Sequence, residues 1–126
     1  AGMNIVSIQS GEWLQGKAST IATALITEHP DLKAILCSND NMAIGAIAAI
    51  RQAGKTNEIK VIGFDNISAT QDLLRDGTLL ATGDQYGGQL ATFGIEYALD
   101  ILVNSRVPAD KKTPVHLVTA ADLPPS

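Results

Sequence analysis

The stretch KVIGFDNIS, Lys60 to Ser68, decides how the rest of the chain is read. Val61, Ile62 and Phe64 make a strand that is apolar on both faces, the pattern of a central parallel strand covered by helices on either side. The strand runs straight into Asp65 and Asn66. Such a pair either folds the next turn with its own side chains, as Asp and Asn commonly do, or is placed at the strand tip for a ligand.

Working outward toward the amino terminus, KAILCS (Lys33 to Ser38) reads as a strand and NIVSIQ (Asn4 to Gln9) as an earlier one. Between them Gln15 to Glu28 is predicted helical, with Ile21, Ala22, Leu25 and Ile26 on one face, and HPD at His29 to Asp31 ends it because the residue before proline is pushed out of helical geometry. NDNMAIGAIAAIRQAGK reads as a helix capped at its start by Asn39 or Asp40 and stopped by Gly54. Toward the carboxyl terminus come a short helix, roughly Ala69 to Arg75, closed by Asp76 and Gly77, and a strand LLATG at Leu79 to Gly83. A long amphipathic helix then runs from about Gly88 to Val103, with Leu90, Phe93, Ile95, Tyr97, Ala98, Ile101 and Leu102 on its inward face. PVHLVTA supplies a last short strand, and the Pro-Pro tail is expected to fray. Strand and helix thus alternate, which predicts one α/β domain over residues 1–126, an open and mostly parallel sheet flanked by helices.

Composition removes several classes of function. Nine basic against thirteen acidic side chains leave a net charge of -4 with no cluster of Lys or Arg, so no nucleic acid partner is expected. Cys37 is the only cysteine, which excludes disulfides and cysteine-based metal sites within the chain. The longest apolar runs, MAIGAIAAI and FGIEYALDILV, fall far short of a membrane span, and no signal-peptide pattern opens the sequence. No Gly-rich phosphate loop follows a strand and no His and carboxylate cluster has metal-ligand spacing, so neither cofactor nor metal is expected.

In open α/β sheets ligands sit beyond the carboxyl ends of the strands. The residues that follow the first four predicted strands are Glu12, Trp13 and Gln15, then Asn39 and Asp40, then Asp65 and Asn66, then Asp84 and Gln85. A carboxylate accepts hydrogen bonds from two neighbouring hydroxyls, while Asn and Gln offer a donor and an acceptor together, which is the mixture a vicinal diol needs. Trp13 would give a flat apolar wall for the C–H face of a small ring. Two plainer roles compete: Asp40 as an N-cap alone, and Trp13 as core packing.

The ordered set NDNMAIGAIAAIRQAGK, KVIGFDN and GTLLATGDQYGGQLATFGIEYALDIL resembles the carboxyl-terminal half of a type I periplasmic sugar-binding protein of the ribose-binding type, the solute receptors that feed ABC transporters. The likeness runs from about Asn4 to Ala120. It implies a non-catalytic site in a cleft between two lobes. In it Trp13 packs on the sugar ring, Asn39 supplies the amide of the ND pair, Asp65 accepts from two sugar hydroxyls, and Gln85 ends the following strand. Gln15 falls where ribose-type members often carry an arginine, which changes charge and reach at that point and leaves the sugar open. The resemblance further implies a small sugar or polyol as ligand, an ABC transporter permease as the intact receptor's partner, and a periplasmic or extracytoplasmic location.

Intact members also have an amino-terminal lobe, and they begin the second lobe with a strand and helix that have no counterpart here. Residues 86–113 resemble a segment that packs on that other lobe. The chain is therefore expected to be a fragment, the product of an internal start near Met3, or one piece of a larger assembly, and to self-associate or exchange elements when alone. Two other classes remain open at this point. Effector-binding cores of lac-repressor-type regulators share the fold, although NEIKVIGFDN lacks their usual Pro-containing approach and LLATGDQ fits transport receptors better. A glycoside-cleaving enzyme would need a carboxylate pair drawn from Glu12, Asp40, Asp65 and Asp84, and no nucleophile with a base accompanies them.

Overall fold

The computed structural model describes residues 2–124; Pro125 and Ser126, part of the tail expected to fray, lie outside the described residues. Four strands form one sheet in the order β1 (Ala34–Leu36), β2 (Lys60–Phe64), β3 (Ala81–Asp84), β4 (His116–Val118). The first three run parallel and β4 pairs antiparallel with β3, so the sheet is open and mostly parallel. Helices α1 (Gln15–Glu28), α2 (Asp40–Gln52), α3 (Gln71–Arg75) and α4 (Gly87–Asn104) alternate with the strands, with short 3-10 turns at Ser68–Thr70 and Ala120–Asp122.

The core forms where α1 and α2 pack on each other and on one face of the sheet. Ala18, Ala22 and Ile26 recur at four-residue spacing on α1 and are buried, as are Ala43, Ala46, Ile47, Ala49 and Ile50 on α2. They meet Val61 of β2 together with Ile59, Leu74 and Leu79. Small residues set how closely the helices approach. A Cβ on Gly45 would fall against the Gln15 carbonyl oxygen, so the α2 backbone lies directly on the first turn of α1. Beyond α2 the chain turns back at Gly54, whose φ of 68° is the left-handed geometry of a helix terminator.

Three expectations are corrected and one open alternative is settled. Asn4–Gln9 forms no strand: Ile5 and Ile8 stand exposed, because no strand among the described residues lies alongside to take their backbone hydrogen bonds. β2 is central, but helices cover its Val61 face far better than the other, where Ile62 and Phe64 are half-buried and Leu36, in register with Ile62, is 68% exposed. The predicted inward face of α4 is not inward, since no residue of that helix is buried and Leu102 is 80% exposed. Only Phe93, Tyr97 and Asp100 are half-buried. The loop that follows covers two of them, with Lys111 Nζ 3.5 Å from the Phe93 ring centroid and the Tyr97 hydroxyl donating to the Ala109 carbonyl. Finally, Asn39 and not Asp40 caps α2: Asn39 Oδ1 accepts from the Met42 amide at 2.9 Å, which leaves Asp40, one residue inside the helix, free for a different role.

The α1–α2 contact gives a direct test. Gly45→Ala places a methyl group against backbone that has no rotamer through which to escape, so the variant is expected to lose about 1–3 kcal/mol of stability, read as a lowered midpoint in chemical denaturation. Gly2→Ala, where a Cβ meets nothing within 4 Å, should leave the midpoint unchanged.

Candidate functional site

The parallel strands β1, β2 and β3 end along one edge of the sheet, and the residues that follow them converge there. Asp65 leaves β2 with φ 109° and Asn66 follows with φ 54°, two non-glycine residues in succession at positive φ. The Asp65 amide donates to the Gly83 carbonyl at 2.7 Å, extending the β2–β3 ladder by one bond. Its side chain does not fold the turn. Asp65 Oδ1 instead accepts from Gln85 Nε2 at 2.8 Å, across the tips of two neighbouring strands. Both residues are half-buried, and among the described residues no protein donor reaches Asp65 Oδ2. The pair therefore leaves Asp65 Oδ2 and Gln85 Oε1 without a protein donor among the described residues, two acceptors held together by one hydrogen bond.

The turn-folding role falls to the neighbours. Asn66 Nδ2 donates to Asp84 Oδ2 at 3.1 Å while Gln71 Nε2 donates to Asn66 Oδ1 at 2.9 Å. Asp84 Oδ1 accepts the Tyr86 amide at 2.7 Å, where Tyr86 itself sits at φ 55°. Asn66 and Asp84 are thus consumed in holding the two turns, although by sequence they stood level with Asp65 and Gln85.

Asp40 is fully buried beneath this edge. Its carboxylate takes the Thr82 hydroxyl at 2.7 Å on Oδ1, and on Oδ2 the Ile67 amide at 2.9 Å. The Thr70 hydroxyl lies 3.1 Å from the same Oδ2 and 2.8 Å from the Ile67 carbonyl, its single proton serving either acceptor. Gly63 of β2 makes room, since a Cβ there would collide with Asp40 Oδ1. Sequence reasoning placed Asp40 among the tip residues; the signal that it points inward is the Gly63 opposite it and the threonines at 70 and 82.

Glu12, Trp13 and Gln15 arrive not from a strand tip but from a turn. Glu12 and Trp13 take φ 49° and 62°, the Leu14 amide closes on the Gly11 carbonyl at 2.9 Å, and α1 begins at once. Gly11 is buried against Met42, and Glu12 pairs with Lys17. Trp13 is 65% exposed, so it is no part of the core, and Gln15 is exposed as well. Gln9, Ser10, Gly11, Glu12, Trp13, Ser38 and Met42 line an open cavity of about 130 Å³ that sets the tryptophan beside the end of β1. Asn39, next in sequence to Ser38, is nearly buried; its Oδ1 is committed to the cap and its Nδ2 has no protein acceptor among the described residues. Of the five sequence-predicted residues, the structure joins Asp65 to Gln85 and sets Trp13 at a cavity shared with Ser38. It shows no hydrogen bond linking Trp13, Gln15 or Asn39 to that pair.

Comparison with known proteins matches residues 1–105 to the periplasmic binding protein domain. A D-ribose/D-allose-binding protein of Pseudomonas aeruginosa is 49% identical over 124 residues, which covers 95% of this chain and 39% of that protein. A ribose import binding protein of Salmonella typhimurium is 35% identical over 114 residues, 90% of this chain and 38% of its own length. Among solved structures, an ABC transporter solute-binding protein of Burkholderia multivorans superposes with a TM-score of 0.87 at 51% identity, over 94% of this chain and 42% of the other. A Caulobacter myo-inositol-binding protein bound to myo-inositol gives 0.89 at 30% identity, over 94% and 41%. The chain spans about two fifths of the length of the relatives it matches.

Cys37, at the end of β1 and close to Asp40, reports on this edge from inside. Burial, and then the Asp40 carboxylate, push its thiol from an ordinary 9.0 up to about 11. Because the folded value is the higher one, the thiol's contribution to stability is complete below about pH 9 and is lost as pH rises through about 11. Alkylation of the native chain near neutral pH should accordingly run far slower than that of the urea-unfolded chain and accelerate only toward pH 11. Equal rates in the two states would mean that Cys37 is not held in this environment.

Proposed function

Since the chain belongs to the periplasmic binding protein family, we propose that its strand tips form one side of a cleft that grips a small sugar or polyol without altering it. The observation that carries this reading is the Asp65–Gln85 pair, which joins the tips of adjacent strands and leaves acceptors that no protein donor reaches among the described residues. Two neighbouring hydroxyls of a ring can both donate to Asp65, one to its open Oδ2. Trp13 stands as the apolar wall, Asn39 Nδ2 donates to a ring hydroxyl, and Gln15 takes the position at which a charged side chain would narrow the choice of sugar.

Relatives named for D-ribose and D-allose, together with the myo-inositol complex, support a polyhydroxylated ring as the ligand class. The carboxylates that a hydrolase would need have other duties: Glu12 pairs with Lys17, Asp40 is enclosed, and Asp84 holds two turns. In the complete receptor the second side of the cleft comes from another lobe, residues 86–113 pack against that lobe, and closure reports occupancy to an ABC transporter permease outside the cytoplasm. By itself the chain keeps half of the contacts and an uncovered α4, so weak ligand affinity and self-association follow.

Calorimetric titration of D-allose and D-ribose into a polypeptide carrying both lobes should give binding that Asp65→Asn weakens about tenfold or more, the loss of hydrogen bonds to a charged acceptor. Affinity unchanged by Asp65→Asn would overturn this reading. The 126-residue chain at high concentration should sediment above its monomer mass of 13.2 kDa, and a strictly monomeric profile would remove the self-association.

A further inference from the structure

The segment that carries Asp65 is held in an unfavourable backbone conformation, and most of what holds it leads to one side chain. We propose that Asp40 is a positioning residue for the ligand site: without touching the ligand, it fixes the Asp65–Asn66 turn and thereby the direction of the Asp65 carboxylate. This rests on the reading of Asp65 as the group that grips the sugar.

Two consecutive non-glycine residues at φ 109° and 54° persist only when their surroundings over-determine them. The amides of Asp65, Asn66 and Ile67 are each assigned. The first goes to the Gly83 carbonyl, the second to Thr82 Oγ1 at 3.3 Å, and the third to Asp40 Oδ2 at 2.9 Å. The second also ends at Asp40, since the Thr82 hydroxyl that accepts from Asn66 donates its own proton to Asp40 Oδ1 at 2.7 Å. One oxygen of Asp40 therefore anchors Asn66 through Thr82 while the other anchors Ile67 directly, and the turn is clamped on both sides. The anchor is itself rigid, being in the first turn of α2, where the helix dipole favours a negative charge, and locked in the space that Gly63 leaves. Without it the Ile67 amide loses its acceptor, and the Thr82 hydroxyl that accepts from Asn66 loses the partner that orients it. The turn then relaxes toward negative φ, and Asp65 swings away from Gln85.

The test compares Thr82→Ser, Thr82→Val and Asp40→Asn in the full chain. Amide hydrogen exchange should rise about tenfold at Asn66 and Ile67 in Thr82→Val and Asp40→Asn, with the α1 and α2 amides within about twofold of the unsubstituted chain. The Gln85 side-chain amide resonances should shift in the same two variants as the bond to Asp65 loosens. Thr82→Ser retains the hydroxyl and should restore the original pattern, which a purely volumetric role for this position would not produce. Thr82→Val indistinguishable from Thr82→Ser, or faster exchange spread evenly over α1 and α2, would overturn the proposal. Should Asp40→Asn fail to fold, the Thr82 pair decides alone. These readouts need no sugar, so they stand apart from the titration that tests ligand binding. In a two-lobe polypeptide that binds D-allose, Thr82→Val should weaken Kd about tenfold and Thr82→Ser less than about twofold, and equal affinities would again overturn the proposal.

Discussion

A buried carboxylate has to be paid for by its neighbours, and the arrangement around Asp40 is the constraint from which the sheet edge follows. Moving an ionised carboxyl group out of water costs several kcal/mol unless donors replace the lost hydration. Here two hydroxyls and a backbone amide do so, and they come from two places remote from Asp40 in sequence: Thr82 in β3, and the stretch from Ile67 to Thr70 that follows β2 and leads into α3. Satisfying Asp40 therefore fixes the relative positions of β2, β3 and α2 at the end of the sheet where the tip residues gather. Gly63 is the steric counterpart of the same constraint, a strand residue without a side chain because the space belongs to another one.

Much of this architecture was legible in the sequence. Gln15–Glu28 and Lys60–Phe64 emerge with the bounds that periodicity and the HPD break predicted, and Gly54 stops α2 in the left-handed geometry of a helix terminator. Such elements are written locally, in spacing and in breakers. What was not legible depends on partners. Asn4–Gln9 has the alternation of a strand but no neighbour among the described residues, and hydrogen bonding, unlike periodicity, needs a second chain segment. The apolar face of α4 was read as inward because amphipathicity states that a face is to be covered without saying by what.

The candidate site shows the same division. Residue type and strand-tip position placed Asp65 and Gln85 among the tip residues without pairing them, and gave equal standing to Asn66 and Asp84, whose side chains are hydrogen-bonded within the protein. The difference lies in backbone geometry. At φ 109° Asp65 directs its carboxylate across to the next strand, whereas Asn66, at φ 54°, bridges to Asp84 and Gln71. Asp40 was misplaced for a related reason, because an Asp at the start of a helix satisfies the capping pattern whether it caps or turns inward. Only the long-range partners Thr70 and Thr82 distinguish the two.

Among the described residues, every buried one lies between Gly11 and Gly83; beyond that point only Val118 and Leu123 lean back on the core. The molecule is accordingly graded in cooperativity. Residues 11–83 share a single pool of buried surface and open together. The α4 segment buries no residue: the Tyr97–Ala109 bond and the Lys111–Phe93 contact tie it to the loop that follows, and that loop is joined to the core through the short β3–β4 ladder and Val118. A segment that buries so little opens at a local free energy below the global one, so α4 is expected to detach and rejoin while the core stays folded.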